Sequence, residues 1–300
     1  MNLLKTLCLF VLSAALFLSG CVGEDMSDCP PDNNLTLLFQ YPNFPDHISR
    51  VNVAIYDEND VLVEIRQVEK SELDILQGIR LNLSEGAYKA VCWGNAFDNT
   101  QIEGFTSGSM LDLHEVAHPG YFVPARIPTN DALYYGIHTF TIIKNTETTE
   151  TVDFTPAHIS LVIQIEGLQS LTEGAPIADL PYIKVNNLAP AYDYKMVTHG
   201  DLTTYYPTMA LLSDKKLGES QLDVLRFREK NPITIDVIEN NTTNKILHTV
   251  KLQDFIAAND IKIEDGKEVV IPILISFFGE VSVTIIEDWK EQPVNPVPQV

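Results

Sequence analysis

Two histidines bracket a glutamate in His114-Glu115-Val116-Ala117-His118. On a helix, this H-E-x-x-H spacing binds zinc through both imidazoles and uses the carboxylate as a general base. That chemistry needs an unbroken helical turn through both histidines. Pro119 disfavours helical geometry at His118, so the second ligand falls where a helix must end. The longer metzincin pattern also fails, because Tyr121 stands at its glycine position and Pro124 at its third histidine. The pentapeptide is therefore read as a chance match in a loop between strands. A zinc hydrolase acting through His114, Glu115 and His118 stands as a second alternative.

Other chemistry-bearing groups have structural explanations beside them. Asp57-Glu58-Asn59-Asp60 has the carboxylates for calcium, but between two alternating segments it supplies the residues of a hairpin turn. Trp93 and Trp289 with nearby tyrosines can line a glycan site, although such rings more often pack cores and interfaces. The chain carries no G-x-S-x-G elbow, Walker loop, G-x-G-x-x-G or C-x-x-C motif. No catalytic residue, metal ligand or cofactor is assigned.

The cysteines are more informative. Lys5 and an apolar stretch from Leu7 to Leu18 lead into Leu18-Ser19-Gly20-Cys21. About twelve apolar residues suit a signal peptide, whereas a membrane-spanning helix needs roughly twenty. A small residue before a cysteine at that point is the bacterial lipobox, in which the thiol is acylated and the chain is cut before it. Residues 1–20 are thus a lipoprotein signal peptide, and Cys21 carries the lipid, palmitate or a similar acyl chain. The acidic run Val22-Gly23-Glu24-Asp25 resembles the surface-export signal of Bacteroidetes lipoproteins and also suits a solvated linker over residues 21–32. Cys8 leaves with the signal. Cys29 and Cys92 then remain in a compartment that permits disulfides, either paired or with Cys92 packed as a small apolar residue.

These groups must be positioned by strands. Alternating apolar and polar residues mark segments at Leu35–Tyr41, Arg50–Tyr56, Val61–Val68, Ile79–Leu83, Ala87–Trp93, Leu133–Ile143 and Thr151–Phe154. Gly86 is placed in the turn between the fourth and fifth. The pattern resumes at His158–Glu166, Tyr182–Leu188, Ile233–Glu239, Lys245–Leu252, Val269–Phe277 and Glu280–Glu287. Hairpins are expected across residues 57–60 and 240–244, and the last two segments are separated around Gly279. Only Ser71–Leu76 and Leu252–Ala258 look helical. This predicts an all-β chain with a sandwich in each half, residues 33–153 and 154–290, and a proline-rich extended tail over 291–300.

Without the signal the chain has 19 Lys+Arg against 41 Asp+Glu, a net charge of −22. Phosphate binding needs clustered cations, and no basic run exceeds Lys215-Lys216, so nucleic acid is excluded as a partner. The same charge repels anionic lipid heads, which leaves membrane attachment to Cys21.

Several ordered stretches resemble the fimbrillin-A-associated anchor proteins of Bacteroidetes type V fimbriae. They begin with Cys21, Asp28-Cys29-Pro30 and Val51-Asn52-Val53-Ala54-Ile55-Tyr56-Asp57 running into Val61-Leu62-Val63. Gly86-Ala87-Tyr88-Lys89-Ala90-Val91-Cys92-Trp93-Gly94-Asn95 and Leu133-Tyr134-Tyr135-Gly136 follow. Val281-Ser282-Val283-Thr284-Ile285 then leads to Asp288-Trp289-Lys290. Residues 190–218 match nothing in that pattern. The resemblance implies two tandem transthyretin-like β-sandwiches and no enzymatic activity. It also implies an outer-membrane lipoprotein at the base of a fimbrium (pilus), meeting a fimbrial subunit by strand donation at a sheet edge. A glycan-binding surface lipoprotein is the first alternative.

Overall fold

The computed structural model describes residues 34–123, 125–168, 180–212 and 217–286. They form five sheets and few helices, the longest helix being α4 (Leu252–Ala258). No helix among the described residues is long and apolar enough to cross a membrane.

In the first half, β1 (Leu35–Gln40) lies between β4 (Gly78–Leu81) and β9 (Thr148–Asp153). A second sheet has the order β10 (Thr155–Pro156), β8 (Tyr134–Ile142), β5 (Gly86–Gly94), β2 (Val51–Tyr56), β3 (Leu62–Val68). Alternation decides which side chains meet. Leu35, Leu37 and Phe39 of β1 face Val53, Ile55, Ala90 and Cys92 of the second sheet, and Phe44 from the short helix α1 (Phe44–His47) closes the same core. Each side chain of this kind contributes about 1.5–3 kcal/mol when fully buried.

The second half repeats the plan. One sheet runs β16 (Ala210–Leu212), β17 (Leu217–Leu225), β11 (His158–Glu166), β20 (Val270–Ser276), β21 (Ser282–Ile285). The other runs β15 (Thr203–Tyr205), β12 (Tyr182–Leu188), β18 (Thr234–Ile238), β19 (Ile246–Lys251). Between them pack Leu161, Ile163, Ile183, Val185, Ile235 and Ile273, all essentially unexposed.

The fifth sheet draws on both halves: β14 (Thr198–His199), β13 (Ala191–Asp193), β7 (Glu115–Ala117), β6 (Gln101–Glu103). Its central pairing sets Ala191, Tyr192 and Asp193 against Ala117, Val116 and Glu115. A third core lies beneath it, joining Tyr56, Val91, Trp93 and Tyr135 to Tyr192 and Leu225. The strand β2 is consequently buried on both faces, which explains its unbroken run Val51-Asn52-Val53-Ala54-Ile55-Tyr56.

Most expected strands form within a residue or two of their limits, and the two expected hairpins pair antiparallel, as do the segments on either side of Gly279. Gly86 is a correction. It begins β5 rather than turning a hairpin, because β4 pairs with β1 while β5 pairs with β2 and β8, so the chain crosses between sheets there. The helix expected at Ser71–Leu76 is the four-residue α2 (Lys70–Leu73), whose start is fixed by a reciprocal capping box between Glu69 and Glu72. The strand β17 escaped the alternation reading because Gly218 and Ser220 occupy inward or buried positions where apolar residues would have marked it.

Candidate functional site

The H-E-x-x-H segment is neither a helix nor the loop expected from sequence. Glu115–Ala117 is a strand, and both flanking histidines are extended, with His118 capping the short helix α3 (Pro119–Phe122). Pro119 is the first residue of that helix, where its missing N–H costs nothing. Four residues of extended chain carry the two histidines roughly 13 Å apart, against one turn in a helix. They cannot close on one zinc ion in this conformation.

Each of the two imidazoles is already engaged. Trp93 Nε1 donates to His114 Nε2 at 2.9 Å, and His114 Nδ1 stands 2.8 Å from the Tyr56 hydroxyl. Indole N–H only donates, so Nε2 is the acceptor and the ring proton sits on Nδ1, directed at Tyr56. Burial lowers the His114 pKa to about 4, with the more distant Asp193 opposing, so the ring is neutral. Burial also pushes the Tyr56 hydroxyl up, keeping it protonated. His118 Nδ1 accepts from the Gly120 N–H at 2.8 Å, and burial lowers its pKa as well. Glu115 turns instead toward His199, with 3.7 Å between Oε1 and Nε2. The segment is thus a structural strand whose histidine orients two buried aromatic residues.

Trp93 is wholly buried, 5.0 Å from the Tyr135 ring and stacked 5.8 Å from Tyr192, so it offers no platform to a sugar. Asp57-Glu58-Asn59-Asp60 is the expected turn. Asp57 Oδ1 accepts from the N–H groups of Asn59 and Val61 at 2.9 and 3.0 Å, and the Val61 bond leads in lowering its pKa. Asp60 pairs with Lys89 Nζ at 2.7 Å. Cys92 is buried in the first core, and burial pushes its thiol up. Cys21, Cys29 and Trp289 lie outside the described residues. Among the described residues, no group of three or more histidines, cysteines or carboxylates is arranged to hold a metal ion.

A polar joint between the halves was not visible in the sequence. Glu268, just before β20, takes hydrogen bonds on Oε1 from the hydroxyls of Tyr41 at 2.9 Å and Tyr134 at 2.5 Å. His47 Nδ1 lies 3.5 Å from the same oxygen, and His158 Nε2 lies 3.5 Å from Oε2. The other nitrogen of His158 donates to the Leu133 carbonyl at 3.0 Å. Burial, with the Glu268 charge beside it, pushes the Tyr134 hydroxyl well up, so it remains a donor. Close by, Arg226 donates to the carbonyls of His158, Glu264 and Lys267, at 3.2, 2.7 and 2.9 Å. Replacing Glu268 with alanine should cost about 2 kcal/mol, the scale of hydrogen bonds to a charged group. Calorimetry should then show the unfolding of the two halves beginning to separate; an unaltered single transition would show that the joint carries no coupling.

The structure therefore joins strands of both halves in a shared sheet and core and leaves no assembled catalytic constellation around His114. A family profile for the fimbrillin-A associated anchor proteins Mfa1 and Mfa2 matches residues 26–295. The chain belongs to this family. No relative among curated proteins matches it. The family fold recurs in solved structures. The Porphyromonas gingivalis fimbrial anchor protein Mfa2 aligns at TM-score 0.55 and 16% identity, covering 81% of this chain and 89% of that one. A Bacteroides thetaiotaomicron protein described as a candidate polysaccharide-binding protein aligns at TM-score 0.65 and 15% identity, over 86% of this chain and 99% of that one. A candidate adhesin of Bacteroides ovatus aligns at 0.66 and 13% identity, over 85% and 92% respectively. At these identities the likeness is one of fold.

Proposed function

We propose that this member of the anchor family is a non-enzymatic surface lipoprotein that fixes the base of a fimbrium to the outer membrane. The family match over residues 26–295 carries the proposal. The lipobox at Cys21 supplies the attachment, and open sheet edges supply contact with a fimbrial subunit by strand addition. In this reading the halves are tandem transthyretin-like sandwich domains, residues 33–153 and 154–290. The fifth sheet and the Glu268 joint hold them so that pull on one is passed to the other. The glycan-binding alternative loses Trp93 as a platform, since that ring is enclosed.

Mass analysis of the N-terminal peptide from membranes, combined with crosslinking in the native cell, tests the proposal. The expected result is a mature chain beginning at an acylated Cys21 and crosslinked to a fimbrial subunit. An unacylated start elsewhere, or a crosslinked set without any fimbrial protein, would overturn it.

A further inference from the structure

Sheet edges expose unpaired N–H and C=O groups, and native proteins blunt them with charges, proline, bulges, shortness or a covering loop. The described edges follow that rule with one exception. Edge strand β3 carries the Glu64–Arg66 pair and has its Leu62 end covered by residues 108 and 109. Arg80 lies in β4, Glu150 and Asp153 in β9, and Lys251 with a register shift in β19. Edges β6, β10, β14, β15 and β16 have three residues or fewer.

The exception is β21. Ser282-Val283-Thr284-Ile285 is uncharged and pairs with β20 in unbroken register, and no described strand lies beyond it. Among the described residues it is the one regular edge of four or more residues without a charge. Its inward side chains are also incompletely covered. Val281, Val283 and Ile285 pack against the second core yet stay half-buried, and Phe278 at the hairpin tip is 69% exposed. A further strand with apolar residues at alternate positions would continue the sheet and cover them.

Charge selects the partner. Exposed Glu280 precedes the strand. The chain as a whole carries 41 Asp+Glu against 20 Lys+Arg, so a second copy is repelled and a basic partner is drawn in. We propose that the outer edge of β21 accepts an extended strand of another protein, one with alternating β-branched residues and Lys or Arg at its ends. This rests on the reading of the chain as an anchor working through sheet edges, and it names the edge and the chemistry of the partner.

The test uses the full mature chain and a fluorescent synthetic peptide, Lys-Val-Thr-Val-Thr-Val-Lys, with fluorescence anisotropy as the readout. Substituting Ser282→Lys and Thr284→Lys together places two cations on exposed positions of the edge without touching the core. Binding should weaken at least about tenfold in the double variant, and about as much when glutamates replace the terminal lysines of the peptide. A thermal melt matching the parent shows that the variant is folded. Equal binding by parent and variant would overturn the assignment of this edge. A dimer of the parent in gel filtration that the double substitution dissolves would overturn it too, making a second copy the occupant. If the edge fails while crosslinking to a fimbrial subunit persists, the anchor reading stands and the contact lies elsewhere.

Discussion

Replacing Cys21 with alanine should leave a folded protein that no longer fractionates with membranes, and any fimbriae it holds should appear in the medium. Attachment energy has few places to reside. The chain is strongly acidic, with 20 Lys+Arg against 41 Asp+Glu, so anionic head groups repel it. No described helix is long and apolar enough to span a bilayer. Acyl chains contribute about 0.8 kcal/mol for each buried methylene, and two or more make release negligible on cellular timescales. Removing the thiol that bears them should therefore lower the membrane-bound fraction by at least about a hundredfold. Fractionation with immunoblotting reads the protein, and electron microscopy of the medium reads the fibres. Retention of both on the cell would end the anchor hypothesis, because nothing else in the described chain supplies comparable membrane affinity.

Much of the fold was legible because most strands bury one face only. In β1 and β20, Leu35, Leu37 and Phe39, or Ile271, Ile273 and Ile275, repeat every second residue, and period-2 patterning follows directly. The hairpin turns announced themselves through Asp57, Asn59 and Asp60, and through the asparagines at 240, 241 and 244. Pairings remote in sequence left no such mark. Nothing in Glu115-Val116-Ala117 names Ala191-Tyr192-Asp193 as its neighbour, and three residues are too few to show a period. Without that pairing, neither the fifth sheet nor the third core could be inferred, and His114 remained a candidate ligand. Glu268 was equally silent, since its partners Tyr41, His47, Tyr134 and His158 come from separate elements brought together only by folding. The inference against a zinc helix was local: Pro119 disfavours helical geometry at His118, and that residue is extended.

Trp93, the largest fully buried side chain among the described residues, lies in that third core. Trp93 is unexposed, meets Tyr135 and Tyr192, and satisfies His114 Nε2, so Trp93→Ala removes a large side chain and strands a buried acceptor. The expected loss is about 3–5 kcal/mol, a large part of the roughly 5–15 kcal/mol that holds a typical domain. Trp93→Phe keeps most of the volume but not the N–H, and should cost about 1–3 kcal/mol. The same network sets an acid limit. His114 has a folded pKa of about 4 against roughly 6.5 when unfolded, so the unfolded chain binds the extra proton first as pH falls. Its contribution is complete above about pH 6.5 and is lost progressively down to about pH 4, amounting to about 3 kcal/mol. In His114→Phe that slope should flatten, although the variant is weaker at neutral pH because the Trp93 N–H loses its acceptor. Urea titrations at several pH values measure both effects. A Trp93→Ala variant as stable as the parent, or an unchanged slope in His114→Phe, would mean that this cluster does not hold its core together as its geometry requires.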